Sequence, residues 1–199
     1  MLFIGLTGGI GSGKSEALAA CRRAGAAVLS SDQVVHDLLD TEEVQDLLEA
    51  RWGEAVLSGG DIDRAAVAQI VFNKPDELQW LEQNLFPLVG AETAAWRAEL
   101  EAAQRPPRVA VVEVPLLFEA GVEGRFDTTV AIVADEQLRA ERAASRDHQA
   151  IDERAARQLT QEEKAKRADH VIRNDGSLED LDRQVRGLLD RLTAGVARS

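Results

Sequence analysis

The most constraining feature of the sequence is a glycine-rich loop that lies between an apolar segment and a helical segment. Residues 2–6 are apolar without alternation, which predicts a buried strand of a parallel sheet. The loop, residues 8–15, has the sequence GGIGSGKS, and a helical pattern over residues 14–23 follows it and ends at Ala24-Gly25. A chain with this order of elements is expected to place the loop at the edge of a sheet.

The loop matches the pattern G-x-x-x-x-G-K-[ST], which binds phosphate groups. Glycines allow several backbone N–H groups to point at one anion, and the start of the next helix adds about half a positive charge. Lys14 is expected to reach the β- and γ-phosphates of a nucleotide, and the Ser15 hydroxyl to bind Mg²⁺. The alternative is a turn that matches by chance, but the flanking strand and helix favour phosphate binding.

Glu16 follows the loop and brings a negative charge to the region predicted to bind phosphate. A carboxylate close to the α-phosphate is expected to weaken nucleotide binding unless it points to solvent. The alternative role is structural, because an acidic side chain in the first turn of a helix interacts favourably with the helix dipole.

Four more strand patterns follow the loop, at residues 26–29, 109–112, 128–133 and 170–172, and helical patterns separate them. Strands alternating with helices predict an α/β fold in three layers. Its central parallel five-stranded sheet would be covered by helices on both faces.

Residues 33–104 lack a strand pattern, so we expect a helical insertion between the second and third strands. Within it, Thr41 is expected to cap a helix over residues 42–52. Pro75 and Pro87 suit the first turns of two further helices.

The last helix of the chain has a clear start signal and a clear apolar face. Ser177 with Asp180 resembles a capping box that opens it. Its apolar stripe is predicted to consist of Leu178, Leu181, Val185, Leu188, Leu189 and Leu192.

Composition excludes several classes of protein. The 199 residues suit one domain, and the net charge of −12 disfavours non-specific binding to nucleic acid or to an anionic membrane. Cys21 is the only cysteine, which excludes an internal disulfide and a multi-cysteine zinc site. No apolar run approaches the roughly 20 residues that span a bilayer, and the first residues do not resemble a signal peptide. We therefore expect a soluble, cytoplasmic protein.

Five arginines lie within 19 residues of this acidic chain: Arg139, Arg142, Arg146, Arg154 and Arg157. The first three are spaced three and four apart, so they share one face of a helix. Arginine suits the binding of phosphates during transfer, which favours a functional role for this segment. The alternative is a solvated helix face paired with neighbouring acidic side chains.

Two carboxylates lie at the ends of predicted strands. Asp32 lies where a parallel sheet places its active-site edge, and it could accept a proton from an acceptor hydroxyl or cap the next helix. Glu113 ends the third strand and could hold Mg²⁺ through a water molecule. The three histidines have no metal-like spacing.

A phosphate-binding loop by itself fits a kinase, an ATPase motor or a GTPase switch. The short chain, the helical insertion and the arginine-bearing segment favour a kinase of small molecules, of which a nucleoside or nucleotide kinase is one form. A nucleotide-dependent switch is the alternative from another class, but the chain has no Asn-Lys-x-Asp motif for reading guanine.

Several segments together resemble the dephospho-coenzyme A kinase family. They are residues 6–15 (LTGGIGSGKS), Ser31-Asp32, residues 113–119 (EVPLLFE), Arg142 with Arg146-Asp147, Arg154 with Gln158, Glu162-Glu163-Lys164 with Ala168-Asp169, and residues 171–177 (VIRNDGS). The resemblance covers nearly the whole chain. The loop is shared by many families, whereas the PLLFE run and the N-x-G-S ending are far more specific.

The resemblance implies that the γ-phosphoryl group of ATP, with Mg²⁺, is transferred to the ribose 3′-hydroxyl of dephospho-CoA. This is the last step of coenzyme A synthesis, and ATP and dephospho-CoA are the partners it implies. It also implies a P-loop kinase fold in one domain. The parts would be a core (residues 1–32, 105–135 and 168–199), a helical acceptor-binding insertion (33–104) and a mobile lid (136–167).

The resemblance also assigns roles to individual residues. ATP binding is assigned to Gly9, Gly11, Ser12, Gly13, Lys14, Ser15, Glu16, Arg142, Arg146 and Asn174, the last beside the adenine. Acceptor binding is assigned to Thr7, Asp32, Leu116 and Phe118, with a core role as the alternative for the last two. Lys14, Asp32 and Arg142 are expected to be catalytic, with Asp32 as the base.

Three positions depart from the family pattern. Ser30 replaces the first acid of an Asp-x-Asp pair, Phe86 stands where a histidine is frequent, and Glu16 replaces a threonine. These differences are expected to lower activity or to alter nucleotide handling, but they leave Lys14 and Asp32 in place.

Overall fold

A computed structural model of the protein describes residues 1–72, 74–144 and 158–196. The chain divides into two compact units, which are Met1–Ser30 together with Glu99–Ser199, and Ser31–Ala98. The first unit contains a five-stranded sheet, and the second overlaps the segment predicted as an insertion.

The sheet of the first unit consists of β1 (Leu2–Gly8), β2 (Ala27–Ser30), β5 (Val109–Glu113), β6 (Thr128–Val133) and β7 (His170–Arg173). It is parallel throughout, with the strand order β2-β5-β1-β6-β7. All five predicted strands are confirmed. β1 is two residues longer than predicted, because Thr7 and Gly8 continue the ladder with β6.

The central position of β1 determines where the glycine-rich loop lies. β1 pairs with β5 on one side and with β6 on the other. Since parallel strands end at the same edge of a sheet, the loop starts beside the segments that follow β5 and β6. Side chains from those segments can therefore reach it.

Four described helices belong to the first unit: α1 (Lys14–Arg23), α6 (Glu136–Ala144), α7 (Gln161–Arg167) and α8 (Leu178–Val196). α1 has the predicted bounds and packs against α8. Gly25 follows α1 with a φ of +91°, the left-handed conformation that commonly ends a helix. Within the described ranges, no helix is both long and apolar enough to cross a membrane.

The core of the first unit lies between the sheet and the apolar stripe of α8. Leu181 and Val185 are each 1% exposed, and Leu188 and Leu189 are also buried. Leu178 is 60% exposed, so its assignment to the buried stripe is wrong. It is the first residue of the helix, where the capping box rather than core packing fixes the chain.

The second unit begins with α2 (Ser31–Leu38) and α3 (Glu42–Trp52), followed by a 3-10 turn, Gly53–Val56. Next come β3 (Leu57–Ser58), β4 (Asp61–Ile62), α4 (Arg64–Phe72) and α5 (Pro75–Ala102), whose last turn belongs to the first unit. The expectation of an insertion without strands is wrong, because β3 and β4 pair antiparallel. Strands of two residues each are too short to show alternation in a sequence.

Pro87 does not begin a helix, as was predicted, but lies inside the 28-residue α5. A proline removes one backbone hydrogen bond from a helix interior, and it usually bends or ends the helix. In a helix this long, the remaining turns keep their bonds, and helix formation is cooperative. The start of α5 at Pro75 agrees with the prediction.

The predicted helix caps had mixed outcomes. The box at α8 is confirmed, because Asp180 N donates to Ser177 Oγ (3.2 Å) and Ser177 N donates to Asp180 Oδ2 (3.2 Å). α3 begins after Thr41 as predicted, but the Thr41 hydroxyl donates backwards to Leu38 O (2.6 Å) and accepts no hydrogen bond from the helix. The hydroxyl thus ends α2 rather than capping α3.

Asp169 joins the starts of β6 and β7 through one carboxylate oxygen. Oδ2 accepts hydrogen bonds from the backbone N–H of Thr129 (2.8 Å) and from the hydroxyls of Thr129 (2.9 Å) and Thr128 (3.2 Å). The backbone hydrogen bond from Thr129 is the main reason that the pKa of Asp169 lies below its ordinary value. The charged carboxylate is therefore the form that folding favours.

We expect Asp169→Ala to lower the free energy of unfolding by about 1 kcal/mol at pH 7, the size of a typical net hydrogen-bond contribution. Because the folded-state pKa is lowered, this stabilisation is present above the ordinary pKa of about 4 and is lost as pH falls through the folded-state value. Urea unfolding of both proteins between pH 7 and pH 3 measures the difference. A gap that does not narrow on acidification, or an equal loss in Asp190→Ala, would contradict the assignment.

Candidate active site

The glycine-rich loop joins the end of β1 to the start of α1, as the sequence predicted. Ser12 N donates to Gly9 O (3.2 Å) within the loop. Gly11 has a φ of +75° and Gly13 a φ of +87°, which are left-handed conformations that side chains with a Cβ rarely adopt. The two glycines are therefore required by the backbone path of the loop.

Three carbonyl oxygens of the loop accept hydrogen bonds from side chains. Lys14 Nζ donates to Gly9 O, Arg139 Nε to Ile10 O and Asn174 Nδ2 to Ser12 O, each at 3.0 Å. In a trans peptide, the C=O of one residue and the N–H of the next point in opposite directions. Holding these carbonyls therefore also fixes the directions of the next N–H groups, which are the groups a phosphate would need.

The loop is packed closely by α6 and by the end of β7. A Cβ on Gly13 would lie 2.2 Å from Nδ2 of Asn174, and a Cβ on Gly11 would lie 2.5 Å from the backbone oxygen of Arg139. A Cβ on Gly9 would lie 3.2 Å from the Arg139 guanidinium. Each glycine thus permits a contact that a larger residue would prevent.

Asn174 and Arg139 have contacts that the sequence did not predict. Asn174 was assigned to the adenine of ATP, and its buried side chain lies against the loop backbone. Arg139 was noted only as a member of a helix face, yet its guanidinium binds the loop and also pairs with Glu136 (2.6 Å). The three-residue spacing of Arg139 and Arg142 was the only sequence signal for it.

The two lid arginines assigned to ATP have different outcomes. Arg142 Nη1 donates to the backbone oxygen of Asn174 (3.2 Å), which places it next to the residue that holds Ser12. Arg146 lies outside the described residues, as do Arg154 and Arg157. Among the described residues of this segment, Arg139 contacts the loop and Arg142 contacts Asn174 beside it.

Glu16 pairs at the protein surface with a cation of its own helix. Its Oε1 lies 2.8 Å from Nη2 of Arg23, and that nitrogen also lies 2.6 Å from Oδ1 of Asp182 on α8. The side chains of Glu16 and Arg23 are 39% and 45% exposed. This arrangement matches the solvent-facing alternative considered for Glu16.

Glu113 and Ser30 meet at the edge of the sheet where the loop begins. They are register partners on β5 and β2, and the Ser30 hydroxyl donates to Oε2 of Glu113 (3.2 Å). Glu113 is 6% exposed. A hydroxyl at position 30 thus supplies a hydrogen bond where a second acid would place two carboxylates together.

Asp32 is the second residue of α2, and its side chain is exposed. The strand before it ends at Ser30, and the helix already begins at Ser31. Asp32 is therefore in the first helical turn and is not the N-cap residue, which was the structural alternative. Its role as a base stays a prediction.

Three of the residues assigned to the acceptor, Thr7, Leu116 and Phe118, lie in β1 or in the segment after β5. Thr7 is fully buried, and its hydroxyl donates to the Pro115 carbonyl (3.3 Å). Leu116 is half-buried, whereas Phe118 is 5% exposed. Contacts of Leu116 and Phe118 with an acceptor stay predictions.

Lys164 is a buried charge that the analysis of charge pattern missed. It lies on α7, is 0% exposed, and its Nζ is 2.7 Å from Oε1 of Glu119. Burial is the main cause that lowers its pKa, and the Glu119 carboxylate opposes this. Charged helix residues usually face solvent, so the charge pattern of α7 did not indicate that Lys164 is buried. The only sequence signal for Lys164 was its position in a segment that resembles the family.

The comparisons with known proteins agree with one another. A family model described as dephospho-CoA kinase matches residues 2–180. A dephospho-CoA kinase from Thermus thermophilus is 39% identical over 198 residues, which is 98% of this chain and 94% of that protein. A solved Thermus thermophilus structure is 38% identical, with a TM-score of 0.76, over 96% of this chain and 97% of that one.

A dephospho-CoA kinase structure from Campylobacter jejuni has the same fold. It is 24% identical, with a TM-score of 0.71, over 97% of this chain and 98% of that one. The α/β fold predicted from the sequence, with a parallel five-stranded sheet and flanking helices, is therefore confirmed.

We expect Gly13→Ala to lower the affinity for ATP roughly tenfold. The added Cβ displaces the Asn174 amide and breaks its hydrogen bond to Ser12 O. Loss of a hydrogen bond whose partner stays buried costs about 1–3 kcal/mol, and about 1.4 kcal/mol corresponds to a factor of ten in affinity. Gly25→Ala is the matched control: Gly25 has a similar φ of +91°, and nothing lies within 4 Å of the added Cβ. Both variants should lose about 1–2 kcal/mol of stability from the left-handed backbone. Calorimetric titration with ATP and urea unfolding separate the effects, and equal ATP affinities in the two variants would contradict the role of Asn174.

Proposed function

The chain belongs to the dephospho-CoA kinase family, and we propose that it transfers the γ-phosphoryl group of ATP to the ribose 3′-hydroxyl of dephospho-CoA, forming coenzyme A and ADP. The reaction is the last step of coenzyme A synthesis. The observation that carries the proposal is the family match over residues 2–180, on a chain whose phosphate-binding loop has its carbonyls held by side chains. A cytoplasmic location stays a prediction of the sequence.

Phosphoryl transfer depends mainly on positioning and on stabilising the charge of the moving group. The N–H groups of Gly11 and Gly13 follow the carbonyls held by Arg139 and Asn174, so their directions are fixed before a phosphate arrives. Such preorganised donors cost little reorganisation during the reaction. The Lys14 ammonium, which lies at Gly9 O, adds a charge that can follow the γ-phosphoryl group.

Arg142 is proposed to add positive charge from the lid side. Its guanidinium donates a hydrogen bond to the carbonyl of Asn174, the residue after β7. The helix that carries it, α6, begins three residues after the end of β6. A planar guanidinium with several donors suits the oxygens of a phosphoryl group. Arg146 keeps the same proposed role.

The acceptor hydroxyl is proposed to be activated by Asp32. A carboxylate can orient a hydroxyl and accept its proton as the new oxygen–phosphorus bond forms. Asp32 is two residues after Ser30, the last residue of β2. Thr7, Leu116 and Phe118 are proposed to contact dephospho-CoA.

The side chains at this edge fit Mg²⁺. Ser15 offers a hydroxyl oxygen and Glu113 a carboxylate, and Mg²⁺ prefers oxygen ligands and keeps several waters. Among the described residues, no group of three or more His, Cys, Asp or Glu could hold a metal, so ATP phosphates would supply most of the ligands. Bound with ATP, the ion would neutralise phosphate charge.

The test is incubation with ATP, Mg²⁺ and dephospho-CoA, with mass spectrometry for a product heavier by one phosphate. A 3′-deoxy analogue of dephospho-CoA should yield no product, because it lacks the proposed acceptor hydroxyl. Adenosine and AMP as acceptors test the alternative of another nucleoside or nucleotide kinase. Turnover with these acceptors but not with dephospho-CoA would overturn the proposal.

Lys14→Ala is expected to reduce kcat by about 10²-fold or more, because it removes a donor that stabilises the transferring group. Lys166→Ala is the control, since Lys166 is an exposed lysine on α7. A coupled assay for ADP measures both. Activity of Lys14→Ala within a few-fold of the control would contradict the assignment of the loop.

Asp32→Asn is expected to keep ATP binding and to reduce kcat by about 10²-fold or more, the usual contribution of a general base. Asp37→Asn is the matched control, because Asp37 is exposed on the same helix. ATP titration and steady-state kinetics distinguish binding from turnover. Unchanged turnover would remove Asp32 as the base and leave the rest of the site intact.

A further inference from the structure

Lys164 is the largest fully buried side chain among the described residues, and it carries a charge. Removing an ammonium group from water is costly unless hydrogen bonds and an opposite charge replace the water. The Lys164 ammonium has such partners. It lies 2.7 Å from Oε1 of Glu119, 2.6 Å from the Pro115 carbonyl and 3.5 Å from the Thr7 hydroxyl, which is a long contact.

These partners come from two segments that meet at the acceptor side of the loop. Thr7 is in β1, immediately before the glycine-rich loop, and its hydroxyl donates to Pro115 O. Pro115 and Glu119 belong to residues 114–119, whose first residue donates its N–H to Leu6 O (2.8 Å). Lys164, from a third segment, thus holds residues 114–119 against the end of β1.

Glu119 extends this arrangement to the residues that precede α7. Its Oε1 also accepts the backbone N–H of Leu159 (2.8 Å). Its Oε2 is buried and has no hydrogen-bond partner among the described residues. Among the described residues, Lys164 is the cation that pairs with this carboxylate.

We propose that Lys164, paired with Glu119, is a positioning residue for the acceptor substrate. The ammonium is fully buried, so it does not touch dephospho-CoA. It fixes the geometry of residues 114–119, which include Leu116 and Phe118, relative to Thr7. This inference rests on the proposed function, because these residues are proposed there as the acceptor contacts.

A neutral side chain of similar size does not reproduce this geometry. Methionine at position 164 would fill the volume, but it would remove the closest donor to the Pro115 carbonyl and the cation that pairs with the Glu119 carboxylate. Buried ion pairs add little net stability, whereas breaking one by removing a single partner is strongly destabilising. The pair is therefore better explained by the arrangement it imposes than by stability.

The test compares Lys164→Met with the double variant Lys164→Met/Glu119→Gln. The single variant leaves a buried carboxylate unpaired and is expected to be destabilised, to the point that it fails to fold. The double variant removes both charges and should fold. Lys166→Met/Glu162→Gln, at exposed positions of α7, is the matched control.

In the double variant, we expect the Kd and KM for dephospho-CoA to rise at least tenfold, while the Kd for ATP stays within twofold of the control. Calorimetry with dephospho-CoA and with ATP measures binding without turnover. A role only in stability would lower the unfolding midpoint and leave the dephospho-CoA constants unchanged, and this result would overturn the inference. Equal weakening of ATP and dephospho-CoA would also overturn it.

The same measurements separate this inference from the proposed function. If the wild-type protein phosphorylates dephospho-CoA and the double variant has unchanged Kd and KM for it, only the positioning role is refuted. Wild-type protein that binds dephospho-CoA without phosphorylating it refutes only the function, and the binding constants still decide the inference. Wild-type protein that does not bind dephospho-CoA refutes both.

Discussion

A phosphate-binding loop requires backbone N–H groups that keep their directions, and here this depends on hydrogen bonds to the carbonyls of the same peptides. Arg139 and Asn174 hold the carbonyls of Ile10 and Ser12, and the planar peptide transfers that constraint to the N–H groups of Gly11 and Gly13. The two donors come from helix α6 and from the end of strand β7. The anion site is therefore a property of the whole first unit, although its motif is eight residues long.

Several carboxylates of the first unit have hydrogen-bond or ion-pair partners among the described residues. Ser30 donates to Glu113, and Lys164 compensates Glu119 in a fully buried position. Glu16, which was expected to weaken nucleotide binding unless it points to solvent, is paired with Arg23 at the surface. In an acidic chain that must accept polyanionic substrates, such pairing limits the repulsion that carboxylates near the site would otherwise exert.

Much of the fold was predictable because it follows from local patterns. The strands of the sheet contain short apolar runs, and α1 begins at Lys14 and ends at Arg23 as predicted. The failures have equally physical causes. Strands β3 and β4 have two residues each, too few for a periodic signal, and Pro87 lies within a helix whose other turns hold it. Thr41 has the composition of a cap, but its hydroxyl bonds to the preceding helix.

The sequence by itself determined the family, the parallel sheet and the place of the glycine-rich loop between β1 and α1, because each depends on residues that are neighbours in the chain. Only the tertiary structure showed that Asn174 and Arg139 hold the loop and that Lys164 is buried against Glu119 and Pro115. These contacts join residues that are more than 40 positions apart in the chain. A charged side chain in a helix has the same local pattern whether it faces water or a buried partner, and only packing decides between the two.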